Sequence, residues 1–102
     1  NEVPVKIFSK GELQWEFDMD SELAKENYRF EFIQLSGEAY KAIEDTLIID
    51  KTVYCKMESL NDTLLNKFFG KSVTLKGRVL GYNRASKKLR LDKCFILKSP
   101  GA

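Results

Sequence analysis

Apolar residues recur at helical spacing early in the chain and at alternating spacing later, and the change of period marks the elements. Leu13, Phe17 and Ala24 share one face of a helix expected over 9–27, with Trp15, Met19 and Leu23 as a neighbouring stripe. Ser9 has Glu12 three residues on, the spacing of a capping box at a helix start. Asp18, Asp20 and Ser21 can restart that helix midway. Residues 1–8, with Val3, Pro4, Val5, Ile7 and Phe8, read as a ragged strand or a tail, and Pro4 argues against a central strand. From Tyr28 the period becomes two. Tyr28, Phe30 and Phe32 alternate with Arg29, Glu31 and Ile33, which predicts a strand with Phe30 and Phe32 in the core. That strand continues through Leu35, Gly37 and Ala39 towards Ile43, and Gly37 inside it suggests a bulge or sharp coil.

Turns at Glu44-Asp45 and Asp50-Lys51 bound a second strand over 46–49 and a third over 52–57. Ser59 with Asp62 opens a second helix, whose apolar face is Leu60, Leu64, Leu65, Phe68 and Phe69 and whose stop is Gly70. Val73, Leu75, Gly77 and Val79 form a fourth strand, followed by a loop over 81–86. Leu89 and Leu91 begin a fifth, which slips at Asp92-Lys93 and resumes at Cys94 and Ile96. Val53, Leu75, Val79, Leu89 and Leu91 complete the expected core, with Leu64, Leu65 and Phe68 at one end. Residues 28–97 are the expected barrel and 98–102 a tail. A helix between the third and fourth of five strands, with glycines inside two long ones, predicts a mainly β protein: a five-stranded OB barrel with an N-terminal helix. Gly37 and Gly77 are the places where its strands must coil. An open α+β meander is the alternative arrangement of the same elements.

Composition narrows the chemistry. A chain of 102 residues, 43% apolar and 31% charged, is expected to form a single globular domain with one core. It has no histidine, so triads that depend on histidine, histidine-ligated zinc and imidazole acid–base catalysis are excluded. Two cysteines are too few for a four-thiolate zinc site. No apolar run approaches the ~20 residues of a membrane-spanning helix. No phosphate-binding glycine loop, dinucleotide fingerprint or nucleophile elbow occurs. The reading is therefore not an enzyme, with no cofactor and no metal. Asn1 rather than Met opens the chain, which fits a removed leader or a trimmed terminus.

The net charge of +2 conceals an asymmetry. Residues 1–65 hold 7 basic and 14 acidic residues, net −7, whereas 66–102 hold 10 basic residues and only Asp92, net +9. A basic second half is a candidate polyanion surface, unless the halves interleave and neutralise each other.

The pattern resembles the tRNA_anti-like family of OB-fold domains of bacteria over most of residues 12–97. The resemblance rests on Leu13, Phe17, Ala24 and Tyr28 ahead of the barrel and on Ser36-Gly37 in the first strand. It rests further on Val53-Tyr54-Cys55 in the third, on the run from Gly70 to Gly77 in the fourth, and on Leu91-Asp92-Lys93-Cys94 in the fifth. It implies an OB fold, nucleic-acid binding by analogy and no catalytic residues. Domains resembling this family also occur in exported proteins and lipoproteins, which favours the cell envelope over the cytoplasm.

In OB folds the loop between the last two strands borders the usual ligand groove. Here that region carries Arg78, Tyr82, Asn83, Arg84, Lys87, Lys88 and Arg90. Single strands need cations for phosphates and aromatic faces for bases. Tyr54, Tyr82 and Tyr40 are the expected platforms, and Arg84, Lys87 and Lys88 the expected phosphate contacts. A solvated basic hairpin is the plainer reading. Glu38, Glu44, Asp45 and Asp50 are expected near the groove, where they would repel phosphate. Cys55 and Cys94 fall on neighbouring strands of such a barrel, either as a disulfide or as two reduced core thiols. The acids of the first helix, Glu12, Glu16, Asp18, Asp20, Glu22 and Glu26, read as its solvent face, and Trp15 as a residue seating it on the barrel. Two functions remain: a module binding single-stranded nucleic acid or another polyanion, or an envelope-associated module binding a protein partner and no nucleic acid.

Overall fold

The structure is a computed structural model, and it describes residues 6–9, 11–58 and 69–98. Among the described residues, six strands and two short helices follow in the order β1 (Lys6–Ser9), α1 (Glu12–Met19), α2 (Ser21–Tyr28), β2 (Phe32–Ile43), β3 (Thr46–Ile49), β4 (Val53–Met57), β5 (Ser72–Asn83) and β6 (Lys88–Lys98). The sheet order is β1-β2-β3-β4-β6-β5, and β5 also pairs with β2. That last pairing closes β2 to β6 into a five-stranded barrel of the OB kind, with β4 and β6 parallel across the closure. The leading segment is a strand, β1, which adds to the outside of this ring by pairing parallel with β2. The expected helix over 60–69 and its core residues Leu64, Leu65 and Phe68 fall almost wholly outside the described residues.

The N-terminal helix is broken, as its central acids suggest. The Asp20 side chain accepts a hydrogen bond from the Leu23 backbone N–H at 3.1 Å and so starts α2. Ser9 makes the expected contact with Glu12, its backbone N–H donating to Oε1 at 2.7 Å, but Ser9 is the end of β1 and Gly11 is the residue before the helix. Leu13, Phe17, Ala24 and Tyr28 are buried where the helices cover the barrel. Trp15 is 62% exposed, so it does not seat the helix.

The barrel interior holds Ile33, Leu35, Leu47, Ile49, Val53, Leu75, Val79, Leu89 and Leu91. The expectation that Phe30 and Phe32 lie there is wrong: they are 56% and 41% exposed. Tyr28 is still helical, and Phe30 turns the chain with a φ of 67°. The strand therefore starts at Phe32, one position out of phase, and such a slip exchanges its two faces. Ile33 and Leu35 become the inward residues, opposite Gly77 and Leu75.

Gly37 and Gly77 stand where the strands are irregular and closely approached, and β5 shifts register against β6 between Lys76 and Arg78. β2 pairs with β5 through Glu38 and with β3 from Ala39, so the strand changes neighbour beside Gly37. A Cβ at Gly37 would stand 2.5 Å from Ile49 Cγ2. A Cβ at Gly77 would collide with Cys94 Sγ. The bulge of β2 itself falls at Tyr40 rather than Gly37. The expected slip at Asp92-Lys93 is present: Cys55 faces Leu91 but Met57 faces Cys94, and Lys93 absorbs the extra residue at φ 50°.

Candidate nucleic-acid interface

Side chains on a strand alternate between faces, so the residues between the inward Val53, Cys55, Leu89 and Leu91 must point outward. On β4 these are Tyr54 and Lys56, and on β6 Lys88 and Arg90. Tyr54 pairs in register with Arg90, which pairs in turn with Gly81 of β5. The absence of a side chain at Gly81 leaves a step beside Arg90. The result is an open depression of about 380 Å³ lined by Thr46, Tyr54, Lys56, Leu80, Lys88, Arg90 and Leu91. Lys88 Nζ lies 5.0 Å from the centre of the Tyr54 ring, a cation–π contact.

A second depression of about 610 Å³ continues from the first, because both are lined by Leu80 and Arg90. Its other walls are Lys25, Gly81, Tyr82, Asn83, Arg84 and Ala85. Among the described residues, no Asp or Glu lines either depression. Lys25, Lys56, Arg84, Lys88 and Arg90 therefore present a positive surface beside the half-buried rings of Tyr54 and Tyr82. Glu38, Glu44, Asp45 and Asp50 do not line it, contrary to expectation. Asp50 instead accepts a hydrogen bond from the Glu38 backbone N–H at 2.9 Å.

The loop at the end of this groove is shaped from within. Asn83 Oδ1 accepts hydrogen bonds from the backbone N–H groups of Ala85 and Ser86, at 2.9 and 3.1 Å, which folds the turn. Gln14 on α1 donates to the Lys87 carbonyl at 2.9 Å and holds the loop to the helix.

Tyr82 lines the second depression, but its ring lies 5.3 Å from Phe17 and its hydroxyl donates to Asp18. Burial, and then that hydrogen bond, push its phenol up to about 12. Tyr82 is thus a strut between barrel and helix rather than a free stacking platform. Lys87 faces Asp18, Asp20 and Glu22 across an acidic hollow that adjoins the second depression through Tyr82 and Arg84.

Arg78 and Tyr40 lie outside both depressions. Arg78 makes two hydrogen bonds to Asp92, at 2.9 and 2.8 Å. The pair holds the Asp92 carboxyl below its ordinary value and raises the guanidinium. Tyr40 is half-exposed at the β2 bulge with Lys51 Nζ 5.5 Å from its ring centre. The residues that the structure adds are Lys56 and Lys25. Lys56 was visible in the sequence, two positions from Tyr54 on the same strand face. No sequence signal brings Lys25 of α2 to the hairpin.

Cys55 and Cys94 are free thiols, fully buried on adjacent strands. The hydrogen bond that the Cys55 thiol donates to Cys94, then burial, raise Cys55 well above its ordinary value. Cys94 Sγ also donates to the Asp92 carbonyl at 3.4 Å. Both belong to the core cluster, not to the groove. Among the described residues no group of three or more His, Cys, Asp or Glu side chains is placed to hold a metal ion, and no helix is long and apolar enough to cross a membrane.

Neither a family model nor a curated protein matches the chain. Among solved structures, it is similar to the crystal structure of a "putative nucleic acid-binding lipoprotein" from Klebsiella pneumoniae subsp. pneumoniae MGH 78578, with a TM-score of 0.69. The two share 15% sequence identity, and the likeness covers 92% of each chain. At that identity it speaks for the fold.

Proposed function

We propose that this chain is a non-catalytic module that binds single-stranded nucleic acid in the groove between β4, β6 and the β5–β6 loop. The observation that carries this reading is a groove lined by five cations and by Tyr54, with no lining acid among the described residues. Lys56, Lys88, Arg90 and Arg84 meet successive phosphates, and the Tyr54 ring stacks on a base. The basic second half of the sequence supplies most of these charges, and six acids of the first half, from Glu12 to Glu26, lie on or between α1 and α2. The name of the structural neighbour supports the reading, as does the resemblance to the tRNA_anti-like family. The neighbour is called a lipoprotein, which supports a place in the cell envelope.

Fluorescence anisotropy with labelled single-stranded DNA and RNA, competed with inorganic polyphosphate, tests the proposal. Binding that Tyr54→Ala weakens for oligonucleotides, but not for polyphosphate, identifies bases as part of the ligand. Equal loss for both makes the groove a general polyanion site. Undetectable binding at low salt moves the function to the envelope-associated interaction module.

A further inference from the structure

Beyond the groove, the barrel carries a second surface whose chemistry is different. Phe30 occupies the left-handed region at φ 67°, a conformation that bulky residues rarely adopt. Its ring is nevertheless 56% exposed, so the core does not require a phenylalanine there. Backbone strain kept at a ring that the core does not need points to a use for that ring at the surface. The guanidinium groups of Arg29 and Arg78 lie 4.8 and 5.9 Å from its ring centre.

Phe30 is not isolated. Arg78 pairs in register with Phe32, and Lys76, two residues back, pairs with Phe95 on β6 and with Gln34 on β2. Gln34 pairs with Ile7 on β1. One cross-strand row, Ile7–Gln34–Lys76–Phe95, thus runs beside the Phe30, Arg78 and Phe32 group. Ile7, Phe32 and Phe95 are 63%, 41% and 42% exposed, and Leu97 beyond Phe95 is 46% exposed. An apolar band of this kind, interspersed with cations, is an interaction surface.

We propose that this face docks on an anionic phospholipid surface. The apolar side chains insert at the boundary of headgroups and acyl chains, and Arg29, Lys76 and Lys93 meet the phosphates. Asp92 does not oppose this, because its charge is taken up by Arg78. Glu31, and Glu58 whose backbone N–H donates to the Cys94 carbonyl beside Phe95, are outnumbered by the three cations. Charge decides against a second copy of this chain, since a two-fold contact would set the cations of one face against those of its mate. Nucleic acid suits the face less well: Ile7 and Leu97 have no π-face for a base, and Arg78, the cation in register with Phe32, is already paired with Asp92.

The test is co-sedimentation with unilamellar vesicles of equal parts phosphatidylglycerol and phosphatidylcholine, against vesicles of phosphatidylcholine alone. The wild-type protein should bind the anionic vesicles, more weakly as salt rises, and bind the neutral ones poorly. Phe32→Ser with Phe95→Ser should weaken binding about tenfold or more, because two exposed rings lose their burial in the bilayer. Both rings are exposed in the fold, so melting should be unchanged. A second variant, Phe95→Trp with Trp15→Phe, should shift its emission to shorter wavelength when anionic vesicles are added. Absence of binding to anionic vesicles overturns the proposal, as does undiminished binding by the serine variant. A serine variant that loses oligonucleotide affinity instead assigns the face to nucleic acid. Concentration-dependent dimers abolished by the same variant assign it to self-association. The groove is tested apart from this, since Lys88→Ala with Arg90→Ala should leave the tenfold difference in place.

Discussion

The Tyr82 hydroxyl donates a hydrogen bond to Asp18, so the end of β5 is tied to the first helix at the point where the groove begins. Its ring completes the tie by lying against Phe17, which is itself buried. Tyr82→Phe should cost about 0.5–1.5 kcal/mol of unfolding free energy, the net worth of one hydrogen bond. Tyr82→Ala should cost a further ~1–3 kcal/mol, because the aromatic contact goes too. Denaturant unfolding measures both. Oligonucleotide affinity of Tyr82→Phe should match the wild type, as a strut requires.

Alkali should destabilise the protein through two phenols. Tyr28 donates to Glu16 at 2.7 Å, and burial, then that bond, push it up to about 12, as happens for Tyr82. In the unfolded chain a tyrosine ionises near 10. Between about pH 10 and 12 the folded state therefore holds protons that the unfolded state has released, and stability falls as pH rises. Below pH 10 the contribution is complete. Tyr28→Phe and Tyr82→Phe should each flatten the decline of the denaturation midpoint over this window. An unaltered decline in both variants would contradict the assignment.

Close approach at Gly77 predicts a rescue. Gly77→Ala forces a methyl group onto Cys94 Sγ and should cost about 1–3 kcal/mol, as overpacking does. Cys94→Ala clears that space. The double variant should be more stable than the sum of the single changes implies, by about 0.5 kcal/mol or more. Strict additivity would mean that the two groups do not meet.

Cys55 and Cys94 should resist alkylation in the folded protein and react together on unfolding, since both are free and fully buried. The raised Cys55 thiol adds to this, because the thiolate is the reactive form. A thiol count in denaturant without reductant should return both. A count of none would mean that the pair is oxidised.

The barrel was legible because its determinants are local. Alternation locates the strands, and the slip at Asp92-Lys93 is visible in the sequence as a broken period. Phe30 and Phe32 misled because the phase of a strand depends on where the preceding helix stops. Tyr28 looks like a strand residue by alternation, yet its hydroxyl is held by Glu16 on the companion helix. Arg78 was placed in the groove by proximity in sequence, but its outward partner across the hairpin is Asp92, which claims it. The groove itself combines one strand-face pattern that could be read, Tyr54 with Lys56, and one tertiary encounter that could not, Lys25 with the β5–β6 loop.

The central claim is that Lys56, Lys88, Arg90 and Arg84 take phosphates while Tyr54 takes a base. The most direct test is the dependence of single-strand affinity on salt, in the wild type, Arg90→Ala and Tyr54→Ala. Each phosphate contact contributes about −0.7 to the slope of log K against log salt, so these cations predict roughly −3. Arg90→Ala should bring the slope to about −2 and weaken all sequences alike. Tyr54→Ala should leave the slope near −3 and remove about 1–3 kcal/mol of stacking. A slope unmoved by Arg90→Ala, or affinity indifferent to Tyr54→Ala, would contradict the groove as the binding site.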